Sequence, residues 1–387
     1  MTMVLNWMRI PRISGTNRMR YLYYCNSTYQ LLNILNLHWH RKNAGFESID
    51  DYKADLMIQN SFEGAPQIAE IIRSENTFES VLLANKVYNS GRFHKLETLS
   101  DLVFPLRYMK KKQNISKQEI YHRYDVLCVP KYTTLVDLIW RLNRNAKLHL
   151  YEDGIGSYHL NLLFGPRSKL YSKARTLLNY NSFEDYDYLY LVNKDMYMGK
   201  DPEKVVEFPK YDRGYLNRIR EIFAPFCEKY EEKDIYWLSQ FLNNEEFNRM
   251  LAQVLETLAD YKENVLFCQH PRTHMDNVHG FAETDGKQIW ELQVLNMNNI
   301  SKKLFISIHS TACFTAKMLY DEEPYIIMFY RMGDKKVTSV TDNFEESVRR
   351  FISSYRDPDK VMLPENLDEF KNCVEKYYSQ TGKSKAD

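Results

Sequence analysis

The chain has 387 residues, a length that implies two or three domains. Apolar residues make up 44%, charged residues 27% and aromatics 14%, which excludes disordered, collagen-like and simple coiled-coil chains. Lys plus Arg (52) balances Asp plus Glu (51), so total charge gives no case for a nucleic-acid binder.

The first 20 residues, MTMVLNWMRIPRISGTNRMR, contain no apolar stretch of signal-peptide length. No apolar stretch in the chain approaches the ~18–20 residues that span a bilayer. Cys25, Cys128, Cys227, Cys268, Cys313 and Cys373 form no C-x-x-C pair and read mainly as small core residues in a reducing compartment. A cytosolic protein is expected. Charge is locally uneven: residues 1–46 carry no acid, and further basic clusters are Arg107, Lys110, Lys111, Lys112 and Lys117, then Arg167, Lys169, Lys173 and Arg175. These are either solvated surface or a means of attraction to an anionic membrane face or glycan.

From residue 20 onward, short apolar runs alternate with helical patterns. Tyr21–Cys25 reads as a strand, followed by Asn26, Ser27 and Thr28, which are helix-capping types, and by Leu31, Leu32, Ile34 and Leu35 at helical spacing. Strands are predicted at residues 55–59, 81–84, 126–129 and 148–151, with a helix through Leu135, Leu138, Ile139 and Leu142. Residues 195–215 are polar and weakly periodic and read as a linker. A second alternating region has strands at 235–238, 265–268, 304–308 and 325–329, then a helix over about 364–378. This alternation predicts an α/β chain of two open parallel sheets facing a central cleft. The expected division is an extension (1–18), a first Rossmann-like domain (19–200), a linker (201–225), a second Rossmann-like domain (226–362) and a C-terminal helix with tail (363–387).

Ligands of such sheets bind beyond the carboxyl ends of the strands, so the residues just after each strand are the ones to read. Glu152-Asp153-Gly154 is an acid pair suited to general-base work or, equally, to an Asx-type turn. His270-Pro271-Arg272 places an imidazole at a strand end, where proline keeps the chain extended. His270 and His274 invite a zinc reading, but Pro271 argues against one helix carrying both and no third ligand is evident. His309-Ser310-Thr311 precedes an apolar helix that either hydroxyl would cap. Asp185-Tyr186-Asp187 has a metal-binding D-x-D form but lies at a strand entrance. No P-loop or G-x-G-x-x-G pattern is present.

Taken together, these residues resemble the two-domain GT-B bacterial sialyltransferases, whose marks are a [D/E]-[D/E]-G motif and an H-P motif. Cys25–Leu32 is similar to the opening strand and helix of glycosyltransferase family 52, the lipooligosaccharide and capsule enzymes. Tyr151–Gly154 matches the first motif, Gln269–Arg272 the second, and Leu238-Ser239-Gln240 the first donor-domain strand. The resemblance implies CMP-sialic acid as donor substrate, no required cofactor or metal, and a glycan or glycolipid acceptor. It implies Asp153 as catalytic base and His270 as the group that stabilises the leaving phosphate. Gln240, Pro271, Arg272, His309, Ser310 and Thr311 would bind the donor. Thr28, Gln30, Glu152 and Gly154 would line the acceptor side or cleft. Related transferases use CDP-glycerol, CMP-Kdo or UDP-hexoses. A non-catalytic membrane-surface module of polysaccharide assembly is the reading from a different class.

Overall fold

A computed structural model describes residues 19–43, 52–87, 94–159, 169–211, 213–226, 232–240, 244–270, 275–284, 290–333, 338 and 340–383. The chain divides into two compact units, residues 1–191 with 199–209 and residues 192–198 with 210–387.

The first unit runs β1 (Arg20–Cys25), α1 (Thr28–Asn43), β2 (Lys53–Asn60), α2 (Ala65–Ser74), β3 (Ser80–Asn85), α3 (His94–Val103), α4 (Pro105–Tyr108), a π-helical segment (Met109–Gln113), α5 (Lys117–Ile120), β4 (Val126–Val129), α6 (Thr134–Leu142), β5 (Lys147–Tyr151), α7 (Lys169–Leu177), β6 (Tyr188–Leu191) and β7 (Val205–Glu207). Its strands pair in parallel in the order β3-β2-β1-β4-β5-β6-β7. The order reverses between β1 and β4, so the crevice at that switch point opens beside the ends of those two strands. Buried parallel strands need apolar side chains on both faces, and β4 (VLCV) is buried at all four positions.

The chain has 29 tyrosines, and several of them are explained here. Tyr21, Tyr23 and Tyr24 of β1 are buried, as are Tyr151 and Tyr190. A buried phenol fills a core but needs a hydrogen-bond partner. The Tyr151 hydroxyl donates to the Tyr24 carbonyl at 2.6 Å. The Arg41 guanidinium lies 4.9 Å from the Tyr21 ring centre and 5.1 Å from that of Tyr190, and it donates to the Tyr190 hydroxyl at 2.8 Å.

The second unit contains α8 (Arg213–Phe223), β8 (Ile235–Leu238), α9 (Glu245–Ala259), β9 (Val265–Cys268), β10 (Ala282–Glu283), α10 (Trp290–Asn296), β11 (Leu304–Ser307), α11 (Thr315–Tyr320), β12 (Tyr325–Met328), α12 (Asp342–Ser353), β13 (Val361–Met362) and α13 (Leu367–Thr381). Its parallel order, β10-β9-β8-β11-β12-β13, switches between β8 and β11. The C-terminal helix α13 belongs to this unit: Phe370 packs on Phe329 (5.9 Å between ring centres) and Tyr377 on Tyr325 (5.2 Å).

Two expectations change. Residues 201–225, read as a linker, contain edge strand β7 and the whole of helix α8, and the division between units falls after Pro209. Arg175, read as part of a basic surface cluster, is turned inward and pairs with buried Asp137 at 2.8 Å. The cysteines Cys25, Cys128, Cys268 and Cys313 are buried free thiols and Cys373 is half-buried, while Cys227 lies outside the described residues, as do residues 1–18 and 384–387.

Candidate functional sites at the two switch points

In the first unit, three segments bring polar side chains together at the switch point. Gln30 comes from the first turns of α1, Lys131 from the second position after β4, and Asp153 from the second position after β5. The buried Gln30 amide has a fixed sense. Its Oε1 accepts the Asn26 N–H at 2.7 Å, so its Nε2 is the atom that faces Asp153, and it donates to Oδ1 of that carboxylate. Lys131 Nζ ion-pairs with the other oxygen, Oδ2. The Asp153 side chain is 22% exposed and that of Lys131 37% exposed, so the pair stands at the surface of the crevice. The Asp153 N–H donates to Ser157 Oγ at 2.8 Å, which holds the backbone of the turn.

Neighbouring acids on an extended chain point to opposite sides. Glu152 is 0% exposed. Its Oε2 accepts from the Tyr158 hydroxyl at 2.5 Å and its Oε1 from that of Tyr29. Burial, then the nearby Glu152 charge, push the Tyr29 hydroxyl well above its usual pKa. Glu152, expected on the acceptor side, is therefore a core carboxylate that fastens α1 to the end of β5. Thr28, also expected there, is buried at the start of α1, and its hydroxyl has no hydrogen-bond partner among the described residues. Gly154 adopts φ 113° and ψ −167°, a region open essentially to glycine alone, and this turns the chain away directly after Asp153.

In the second unit, Gln240 follows β8 and His309 follows β11. Gln240 Oε1 accepts the His309 N–H at 2.9 Å, and Gln240 Nε2 lies 3.2 Å from His309 Nδ1. With the amide in that sense Nδ1 is an acceptor, which requires an imidazole protonated only on Nε2. Burial lowers the His309 pKa, in agreement with a neutral ring. The Ser310 N–H donates to Ser307 Oγ at 2.6 Å, and Ser310 Oγ accepts the Ala312 N–H at 3.3 Å. Ser310 thus caps a 3-10 turn, Thr311–Phe314, with α11 beginning only at Thr315; the expected apolar helix starts later than its capping hydroxyl. Thr311 is half-buried at the head of that turn.

His270 is exposed two residues past β9, and its N–H donates to Ser239 Oγ at 2.7 Å. Gln269 and Met275 exchange hydrogen bonds of 2.8 and 3.1 Å between the Gln269 amide and the Met275 backbone. Pro271, Arg272 and His274 lie outside the described residues.

Lys131 and Ser307 were missed by sequence reasoning, although each lies at or just beyond a strand end, and Ser239 was quoted with its strand but given no role. Glu291 on α10 was missed as well. Desolvation pushes its carboxyl up to about 7, and the Tyr320 hydroxyl donates to its carbonyl at 3.1 Å. Among the described residues no group of three or more His, Cys, Asp and Glu could hold a metal ion. Asp187 is engaged at the entrance of β6, where its carboxylate accepts the Leu148 N–H at 2.9 Å. A cavity of about 810 Å³ beside the ends of β12 and β13, walled in part by Tyr330, Arg331, Glu345 and Arg349, contains none of these candidate residues.

No protein-family model and no curated protein matches this sequence. Solved structures overlap with it across most of its length. A spinosyn forosaminyltransferase is 10% identical, with 94% of this chain and 91% of that one covered and a TM-score of 0.48. The UDP-GlcNAc 2-epimerase of Neisseria meningitidis is 10% identical, with 95% of each chain covered and a TM-score of 0.45. The E. coli ADP-heptose LPS heptosyltransferase II is 8% identical, with 94% and 100% covered and a TM-score of 0.41. The class rests on the strand orders themselves: the chain is an α/β protein with two Rossmann-like parallel sheets, the domain set of the GT-B fold.

Proposed function

We propose that the chain is a GT-B-like glycosyltransferase that moves sialic acid from CMP-sialic acid to a hydroxyl of a surface glycan such as capsule, lipooligosaccharide or exopolysaccharide. The observation that carries this reading is the placement of Asp153 at the first switch point, part-exposed and oriented by Gln30 and Lys131 while its neighbour Glu152 is consumed in the core. Asp153 takes the proton of the acceptor hydroxyl as that oxygen attacks the anomeric carbon. The bond from that carbon to the CMP phosphate breaks in the same step, with inversion, and the electron pair leaves with CMP. His270, with Ser310 and Thr311, supplies hydrogen bonds to the departing phosphate. Fixed donors can stabilise such a charge without a metal, and loss of one typically costs ~10²–10³ in rate. Catalysis on this reading needs Asp153 of the first unit and His270 of the second on one substrate pair. The enzyme works in the cytoplasm, at the inner face of the membrane where its acceptor is assembled.

The test is CMP release from CMP-sialic acid with galactoside and sialoside acceptors, with the product anomer read by NMR. Transfer with inversion, abolished in Asp153→Asn and His270→Ala, is the expected result. Turnover of CDP-glycerol, CMP-Kdo or a UDP-hexose in place of CMP-sialic acid would move the donor assignment. Unchanged function in cells for both variants would overturn the enzymatic reading.

A further inference from the structure

Five of the large apolar residues left exposed on the described surface cluster on two neighbouring helical segments of the first unit. Leu96 (64% exposed), Val103 and Phe104 (54%) lie on α3 and at the α3–α4 junction, and Leu170 and Leu177 (87%) lie on α7. These segments pack together, and the Tyr180 hydroxyl, just after α7, donates to the Leu102 carbonyl at 2.6 Å. Hydrogen bonds tie α4 directly to the end of α3, with the Phe104 N–H on the Ser100 carbonyl at 3.0 Å and the Tyr108 N–H on that of Phe104 at 3.1 Å. Leu96 and Val103 lie seven residues apart on α3, and the exposed Arg107 and Lys110 follow beyond the junction, where Phe104 leaves helical geometry (φ −122°, ψ 62°). On α7, Leu170 and Leu177 repeat that spacing, with Lys173 between them.

The charge on these faces has one dominant sign. Lys95, Arg107, Lys110, Lys111, Lys169 and Lys173 are exposed among the apolar side chains. Of the acids on α3, Asp101 is buried and bound by Lys112 at 2.8 Å, which leaves exposed Glu97; α7 carries no acid. A contiguous exposed apolar patch signals a binding surface, and cations interspersed with it match an interface that is apolar below and negative above.

We propose that the outer faces of α3, α4 and α7 dock the protein on an anionic lipid bilayer, with Leu96, Phe104, Leu170 and Leu177 entering the headgroup–acyl boundary and the surrounding lysines and Arg107 meeting lipid phosphates. This assigns membrane contact to a built surface of the first unit. The inference does not depend on the reaction proposed above, since binding is read without donor or acceptor.

The experiment is vesicle flotation of the full chain with phosphatidylcholine alone and with about 30% phosphatidylglycerol. Three variants are compared: Leu96→Ser/Phe104→Ser/Leu177→Ser, Lys110→Glu/Lys111→Glu/Lys173→Glu, and a chain lacking residues 1–18. The parent should prefer anionic vesicles by about tenfold or more, and the apolar variant should lose that binding by about tenfold even in low salt. The charge variant should lose the preference for anionic lipid, and the truncated chain should keep most of the binding. Far-UV circular dichroism and unfolding midpoints verify that each variant is folded, and single Leu177→Ser, at the most exposed position, tests the face should the triple variant unfold. Parent-like binding by both folded surface variants would overturn the proposal. So would loss of binding on truncation alone, or an absence of vesicle binding together with a dimer that the apolar substitutions dissociate.

Discussion

Lys131 and Asp153 form an ion pair across the ends of β4 and β5, two strands that neighbour each other in the sheet although 22 residues separate the partners. Lys131 holds the carboxylate from one side and Gln30 from the other, so Asp153 is oriented in advance for the proposed acceptor. Lys131→Met should lower turnover by about ten- to a hundredfold with little change in donor affinity, whereas Lys131→Arg, which retains the charge, should recover much of it. Initial rates at saturating donor and calorimetric donor binding check this. A parallel loss of donor affinity would assign Lys131 to the donor rather than to Asp153.

Gly154 is the second target. Its φ of 113° strains any residue with a side chain, although a Cβ there would meet no atom within 4 Å. Gly154→Ala should therefore destabilise through backbone strain alone, by about 1–3 kcal/mol. Chemical denaturation of parent and variant measures this. An unchanged midpoint would mean that the turn relaxes freely, and with it the placement of Asp153.

His38 provides a pH signature. Its ring is stacked on Phe78 at 4.0 Å, and its nitrogens lie 2.9 Å from the Tyr52 hydroxyl and 2.9 Å from the Thr77 carbonyl. Burial lowers its pKa from 6.5 to about 4. The unfolded chain thus binds a proton that the folded chain refuses. The stabilising contribution is complete above pH 6.5 and is lost as pH falls towards 4, at a cost approaching about 3 kcal/mol. Denaturation midpoints between pH 7 and 4 should fall more steeply for the parent than for His38→Gln.

Glu291 acts in the opposite direction. Its folded pKa of about 7 lies above the unfolded value of 4.5, so the fold favours the protonated acid. Its contribution weakens as pH rises from 4.5 through 7. Glu291→Gln should raise the unfolding temperature at pH 8 and leave it nearly unchanged at pH 4.5. Equal effects at both pH values would indicate lost packing rather than a lost charge.

Much of the fold was legible because buried parallel strands must be short apolar runs, and those at residues 126–129, 235–238 and 265–268 lie where the pattern put them. Edge strand β7 was not legible: three residues, Val205–Glu207, flanked by Pro202 and Pro209, carry too little pattern. Helix α8 was legible in principle, since Ile219, Ile222 and Phe223 form a buried stripe, but its many charges concealed it. At the candidate sites, reading past the strand ends singled out Asp153 and His270, and the resemblance singled out Gln240, but neither picked out Lys131, two residues past β4. The inward turn of Glu152 could not be read, because its two phenolic partners follow from tertiary packing across α1 and the turn after β5.

The Gln30 amide makes the first site polar in a directional sense. With its oxygen already taken by the Asn26 N–H, only a donor can stand toward Asp153. Exchanging that nitrogen for oxygen, as in Gln30→Glu, would keep length, shape and the Asn26 bond, yet set one anion against another. A change of a single atom would convert the clamp into a repeller, and in the proposed reaction the acceptor hydroxyl would meet a carboxylate pushed out of line.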